Sequence, residues 1–268
     1  RFQPEFYEDT FTYISKRTNK NKIKKARNLY KKEKKIIDEI EKKFTVEKEL
    51  LLALMGIETN FGNYLGKMDI ISSLATLSFD KRRSKFFTNE LIVLLKLIDA
   101  DIVKHDTLFG SWAGAFGNFQ FMPTTIKNHA IDYNGNSSIE LKKVEDSFAS
   151  AANYIKNLGW DNTQPCFYRI KLKKNIPEKY LNTSAKKIQN KKNIKFFTKF
   201  IKNIEDINTN TDSLVAIITP DKSIVKNADD YAPAFLVFNN YEKILHWNRS
   251  LRFALAVCTL KDKIKNEI

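Results

Sequence analysis

Glu58 closes an apolar run, Leu51-Leu-Ala-Leu-Met-Gly-Ile-Glu58-Thr-Asn-Phe-Gly62, in which it is the single acidic side chain. Leu51, Leu54, Met55 and Glu58 recur at helical spacing, so a helix here carries a carboxyl group at the end of an apolar stripe. Burial disfavours the charged form. So does the negative end of the helix dipole, with Gly62 as the expected stop. Both effects raise a carboxyl pKa, and a general acid needs that to keep its proton near neutral pH. A second segment, Gly110-Ser-Trp-Ala-Gly-Ala-Phe-Gly-Asn-Phe-Gln120-Phe-Met-Pro123, is rich in glycine and aromatic residues. Its glycines rule out regular helix over residues 110–117.

The elements that must position these groups follow from periodicity. Over residues 21–44, Ile36, Ile37, Ile40 and Phe44 fall at helical spacing, an amphipathic helix with a charged outer face. Thr45 is the expected cap of the next helix, with Glu47 in its first turn, and that helix carries Glu58. Further helices are expected over about 85–99, from near Pro123, over 146–158 closed by Gly159, and over 250–263. After Trp160 the texture changes. Cys166-Phe-Tyr-Arg-Ile-Lys-Leu alternates, and Leu214-Val-Ala-Ile-Ile218 and Phe235-Leu-Val-Phe238 read as two more strands. Residues 171–211, rich in Lys and Asn, are part helix and part loop. The fold class is α+β, predominantly α: a helical region over 1–160, a small β-containing lobe over 161–238 and a C-terminal segment over 239–268, in one compact unit.

Composition limits the alternatives. The chain has 268 residues, 43% of them hydrophobic, enough for a substantial core. No run approaches eighteen apolar residues, so no transmembrane span is expected. Leu91-Ile-Val-Leu-Leu-Lys-Leu-Ile98, broken by Lys96, reads as a buried helix. Residues 1–7 lack the apolar core of a signal peptide, although a first residue other than Met leaves processing open. Of the two cysteines, Cys258 has core-like neighbours, and two free thiols are favoured over a Cys166–Cys258 disulfide. The net charge of +15 invites a nucleic-acid reading. The lysines are spread along the whole chain without a nucleic-acid motif, so a solvated surface is the better account. An anionic polymer such as cell-wall glycan is a third.

The motifs together resemble the B-type lytic murein transglycosylases. They are Gly56-Ile-Glu58-Thr-Asn-Phe-Gly62, Ala75-Thr-Leu-Ser-Phe79 with Arg82-Arg83, residues 110–123, and Ala152-Asn-Tyr154. The resemblance reaches back to Gln3-Pro-Glu-Phe6 and forward to Asn239-Asn-Tyr241 and Trp247-Asn-Arg-Ser250. It implies a lysozyme-like catalytic fold, with residues 239–268 returning to the cleft. It also implies cleavage of the β-1,4 bond between N-acetylmuramic acid and N-acetylglucosamine without water, leaving 1,6-anhydromuramyl ends. Glu58 would be the sole acid/base. A conventional glycosidase needs two carboxylates across the bond, and residues 110–123 contain none; Asp69 and Asp80 lie in no legible motif.

By the same resemblance Ser111, Gln120, Tyr154, Trp247 and Asn248 line the saccharide cleft, and Arg82 and Arg83 grip substrate carboxylates. Turn chemistry is the plainer reading for Ser111 and Gln120, core packing for Tyr154 and Trp247, and an ordinary surface pair for the arginines. The implied partner is the peptidoglycan strand, not nucleic acid, and the implied setting is the periplasm or envelope of a Gram-negative bacterium, as a monomer. No cofactor is required. An EF-hand-like loop aligns with Asp132, Asn134, Asn136 and Asp146, but Ser137 and Lys143 stand where glycine and glutamate belong. An asparagine-rich turn is the favoured reading there, with weak calcium or sodium binding as the lesser one. Two departures from the family pattern are Asn118-Phe119, expected to reshape the cleft wall, and Phe253 in place of a tyrosine. A hydrolytic muramidase and a catalytically inert glycan-binding protein are the rival functions.

Overall fold

The computed structural model describes residues 8–209, 212–222 and 224–268. The Gln3-Pro-Glu-Phe6 motif and Thr211, the expected end of the Lys/Asn-rich stretch, lie outside the described residues. In chain order the helices are α1 (Thr10–Arg17), α2 (Lys20–Lys32), α3 (Lys34–Phe44), α4 (Lys48–Thr59), α5 (Ile70–Ser78), α6 (Ser84–Asp99), α7 (Pro123–His129), α8 (Val144–Asn157), α9 (Ile194–Phe197), α10 (Asn239–Trp247) and α11 (Leu251–Lys265). The strands are β1 (Met68–Asp69), β2 (Phe109–Gly110), β3 (Phe167–Ile170), β4 (Leu181–Asn182), β5 (Lys192–Asn193), β6 (Leu214–Ile218) and β7 (Ala234–Val237).

The described chain forms two compact units, residues 21–157 with 264–268, and residues 8–20 with 158–263. Sequence patterning also breaks near residue 160. It assigns residues 8–20 to the helical region, however, and separates residues 239–263 from the β-containing lobe.

In the helical unit, α3 packs on α8, α5 on α6 and α6 on α7. Leu50 through Gly56 of α4 are all buried, so this helix is enclosed on every side and not along one stripe. It ends at Asn60, which adopts a left-handed backbone with φ 51°. The amides of Asn60 and Phe61 both return to the Met55 carbonyl. Asparagine tolerates that conformation, and the helix stops two residues before the expected Gly62. Thr45 does not cap α4. It is the left-handed end of α3 (φ 58°), and Glu47 holds the N-cap position of α4. The single helix expected over 21–44 is two, broken at Glu33 within Lys31-Lys-Glu-Lys-Lys35, where like charges four apart repel along a helix.

Short α5 and α10 escaped the periodicity reading. Asp69 caps α5, its carboxylate accepting from the Ser72 amide at 2.7 Å. Proline opens α7 as expected. Glu90 of α6, only 2% exposed, accepts from the Thr124 amide at 2.9 Å and hydroxyl at 2.7 Å. An anion is thereby placed at the positive end of α7.

In the other unit the strand order is β3-β7-β6-β4, with β5 also pairing β6. The pairings are antiparallel except β4 with β6, where Leu181 stands opposite Ile217. All of β7 and residues 215–218 of β6 are buried, which explains their unbroken apolar runs. Cys166, just before β3, is disulfide-bonded to Cys258 of α11 with Cα atoms 6.2 Å apart. This corrects the expectation of two free thiols: burial made Cys258 look like a core residue, while its partner lies 92 residues away in sequence. At the start of α1, Asp221 accepts from the Thr10 amide at 3.1 Å and from the buried Arg252 guanidinium at 3.2 Å.

Candidate active site

Glu58 is the second-to-last residue of α4 and is half-buried. The end of α4 is braced from three directions. The buried Thr59 hydroxyl lies 2.8 Å from the Asn118 carbonyl and 3.2 Å from that of Met55, and accepts from the Gly62 amide at 3.1 Å. Lys22 of α2 donates its ammonium to the Gly56 carbonyl and lies 3.4 Å from Asn60 Oδ1. A cation at the carboxyl end of a helix complements the dipole. The Gln120 amide nitrogen donates to the Leu65 carbonyl at 3.2 Å and to that of Gly117 at 3.1 Å.

These bonds fasten residues 58–66 to residues 110–121. Gly66 shows how close the two chains run: with φ 85°, a β-carbon there would stand 2.0 Å from the Gly110 carbonyl oxygen. Only a residue without a side chain permits that approach. Beside it, β1 and β2 pair Met68 with Gly110 and Asp69 with Phe109. Glu58, Ser111 and Gln120 therefore come from two chain segments that share one braced wall.

The Ser111 hydroxyl accepts from the Ala115 amide at 3.1 Å, so turn chemistry accounts for it locally. Gln120 has a positive φ of 51°, and its amide nitrogen is used in bracing. Tyr154 of α8 is half-buried, edge-on to Phe121 at 6.1 Å and stacked on His129 at 4.3 Å. His129 is fixed in turn: its carbonyl accepts from Asn153 at 2.8 Å, and its ring Nδ1 lies 3.3 Å from Asn157 Nδ2. Burial lowers the His129 pKa and raises that of the Tyr154 phenol. Arg82 and Arg83 are exposed, and the Arg83 guanidinium sits over the rings of Phe86 and Phe87 at 4.4 and 4.8 Å. Trp247, half-buried, ends α10 in the β-containing unit; exposed Asn248 lines a cavity of about 520 Å³ there with Ser184, Lys186 and Arg249.

The departures from the family pattern lie inside the protein. Asn118 is 3% exposed and donates to the Ser147 hydroxyl at 3.0 Å, while its amide donates to the Leu141 carbonyl at 2.8 Å. Phe119 is 2% exposed and meets Phe148 edge-on at 5.2 Å. Both pack behind the wall formed by residues 110–121. Phe253 is also buried.

The candidate metal loop is closed by backbone amides. Asp132 accepts from Gly135, Asn136 and Ser137, and Asp146 from Tyr133 and Glu140, at 2.7–3.2 Å. Asn134 and Asn136 accept likewise from Asn136 and Ser138. Among the described residues no three acidic, His or Cys side chains gather as a metal site. Sequence reasoning gave no separate part to Lys22, Thr59 or Trp112. Trp112, 50% exposed between Ser111 and Ala113, carried a legible signal: an aromatic residue with no helical or strand period to bury it. Lys22 acts through tertiary contacts, and Thr59 through local bonds to Met55 and Gly62 as well as its tertiary bond to Asn118.

The Transglycosylase SLT domain family matches residues 1–262. The membrane-bound lytic murein transglycosylase B of Escherichia coli is 39% identical over 118 residues, covering 44% of this chain and 33% of that protein. The aligned stretch thus spans about a third of this curated relative. SltB3 of Pseudomonas aeruginosa, solved in complex with NAG-anhNAM-pentapeptide, superposes with a TM-score of 0.85 at 28% identity, over 99% of this chain and 69% of that one. SltB1 of the same organism superposes at 0.80 with 24% identity, over 95% and 82%. The fold is the lysozyme-like one of these proteins.

Proposed function

The chain belongs to the transglycosylase SLT family, and from that premise we propose that it is a lytic transglycosylase of peptidoglycan with Glu58 as its single acid/base. In this reading the protonated Glu58 carboxyl donates to the glycosidic oxygen as the bond from muramyl C1 breaks. The muramyl 6-hydroxyl then bonds to C1, and the Glu58 carboxylate takes up its proton. No water is consumed, and the product carries a 1,6-anhydromuramyl end.

The observation that carries the reading is the setting of Glu58, at the end of a fully enclosed helix cross-braced to residues 110–121. The engagement of other carboxylates in the same unit supports it. Asp69 caps α5, Glu90 caps α7, and Asp132 and Asp146 close a loop. Each is committed to holding backbone amides, so a one-carboxyl mechanism fits better than the two-carboxyl hydrolysis of a muramidase. We propose Ser111, Gln120 and Tyr154 as glycan contacts, with exposed Trp112 as an added stacking surface. Arg82 and Arg83 are proposed carboxylate grips, and Trp247 and Asn248 further contacts. SltB3 was solved with a muropeptide, and the same class of ligand, acted on in the cell envelope without a cofactor, is proposed here.

The test is mass spectrometry of the products released from purified sacculi. Anhydro ends, one water lighter than reducing ends, should accumulate with the native protein and vanish with Glu58→Gln. Reducing ends as the main product would establish the muramidase instead.

A further inference from the structure

A groove in the β-containing unit includes none of the candidate site residues. It encloses about 460 Å³ and is lined by Arg169, Lys171, Lys174 and Lys202, with the rings of Phe11 and Tyr231. All four cations are exposed. Elsewhere lysines of this chain pair with acids, as Lys16 with Glu8, Lys48 with Glu41 and Lys222 with Glu178. The groove cations have no such partner among the described residues. The one carboxylate at its edge, Asp229, accepts from the Tyr231 amide at 2.8 Å.

The backbone forces these charges together. Leu172 and Ile201 bridge antiparallel, and the Lys202 amide donates to the Lys171 carbonyl at 2.8 Å. Asn203 adds two clamps, accepting from the Lys171 amide at 2.7 Å and donating to the Arg169 carbonyl at 3.2 Å. Arg169 and Lys171 are two apart on extended chain and project to the same side. The Arg169 guanidinium lies 4.2 Å over the Phe11 ring, itself 41% exposed, which fixes its plane. Four exposed cations lining one groove create a positive potential that favours an anionic ligand.

We propose that this groove is a second binding site for the glycan substrate, one that takes the carboxylates of its peptide stems while Phe11 and Tyr231 offer apolar faces to the strand. The proposal rests on the peptidoglycan reading, which supplies an anionic, repeating polymer. A repeating ligand can occupy two sites on one molecule, and the second contact then forms at high effective concentration. The groove would thus hold the enzyme on insoluble wall without taking part in bond cleavage.

The test uses the full chain carrying Glu58→Gln, so that binding is read without turnover. Co-sedimentation with purified sacculi at about 0.1 M salt should weaken about tenfold or more when Lys171→Glu, Lys174→Glu and Lys202→Glu are combined, an effect of multivalent size. Sacculi whose carboxylates have been amidated should bind the parent protein as poorly as native sacculi bind the triple variant. With Glu58 restored, the triple variant should degrade sacculi more slowly yet cleave short soluble muropeptide dimers at the native rate. Undiminished binding by the triple variant, or by amidated sacculi, would overturn the proposal, as would equal losses on soluble and insoluble substrate. So would tighter, charge-dependent binding to DNA than to sacculi. Failure of the native protein to yield anhydro products would sink the transglycosylase reading and leave the binding comparison intact.

Discussion

Two acid-bearing regions of the helical unit use carboxylates in opposite ways. Around residues 132–146 the acids are the structure: Asp132 and the fully buried Asp146 between them accept five backbone amides and fold the loop about themselves. At the end of α4 the bracing runs through Lys22, Thr59, Asn60 and Asn118, and Glu58 is carried by an element that other residues fix. A carboxylate that satisfies several amides is held in place by them. Glu58 instead rides on a helix end that its neighbours hold in place.

Exchanging the acids is the strongest way to break this contrast. Glu58→Gln should lower release of anhydro ends by about 10²- to 10⁴-fold, the usual contribution of a general acid/base. Its thermal midpoint should stay near native, and a large fall in that midpoint would place Glu58 with the structural acids. Asp146→Ala should do the reverse. Two partly buried amides lose their acceptor, so urea unfolding should show a loss of about 2–3 kcal/mol, whereas sacculus turnover at low temperature should drop only modestly. Thr59→Val sharpens the role of the brace. It strips partners from the Asn118 carbonyl and the Gly62 amide, for about 1–2 kcal/mol of stability. Turnover should fall by more than that unfolding explains, because Glu58 loses its fixed base.

Smaller effects follow from titration and from metal. Burial depresses the folded pKa of His129 below its ordinary value near 6.5, so the unfolded chain takes up the proton more readily. Its contribution to stability is therefore present above that value and lost as pH falls through the folded pKa. Urea titrations at pH 7 and pH 5 should show a decline that His129→Phe flattens. Calcium at millimolar concentration should move the thermal midpoint by less than about 1 °C, since binding stabilises only as RT ln(1 + [L]/Kd) and the loop oxygens already accept amides. A clear rise would show that the loop rearranges around the ion.

The sequence disclosed the helix bearing Glu58, the strands around residues 167–170, 214–218 and 234–237, and the irregular glycine-rich wall, because each rests on local period or local backbone freedom. It misjudged what depends on partners. Thr45 has the side chain of an N-cap but ends α3, since its neighbours demand a left-handed turn there. Asn118 departs from its family's pattern, yet it serves as a buried staple. Cys258 reads as core, and it is also half of a disulfide. In the chain-entropy account that bond, closing 92 residues, is worth about 4–5 kcal/mol.

What the sequence determined alone was the apolar run that carries Glu58 near the end of its helix, because composition and spacing along one helix need no other part of the chain. What only the tertiary structure decided was which carboxylates are tied to backbone amides. Asp69, Glu90, Asp132 and Asp146 have the same carboxyl group as Glu58, and no spacing rule distinguishes them. The structural work of these four comes from the amides that the folded chain brings to each, and those amides are placed by packing.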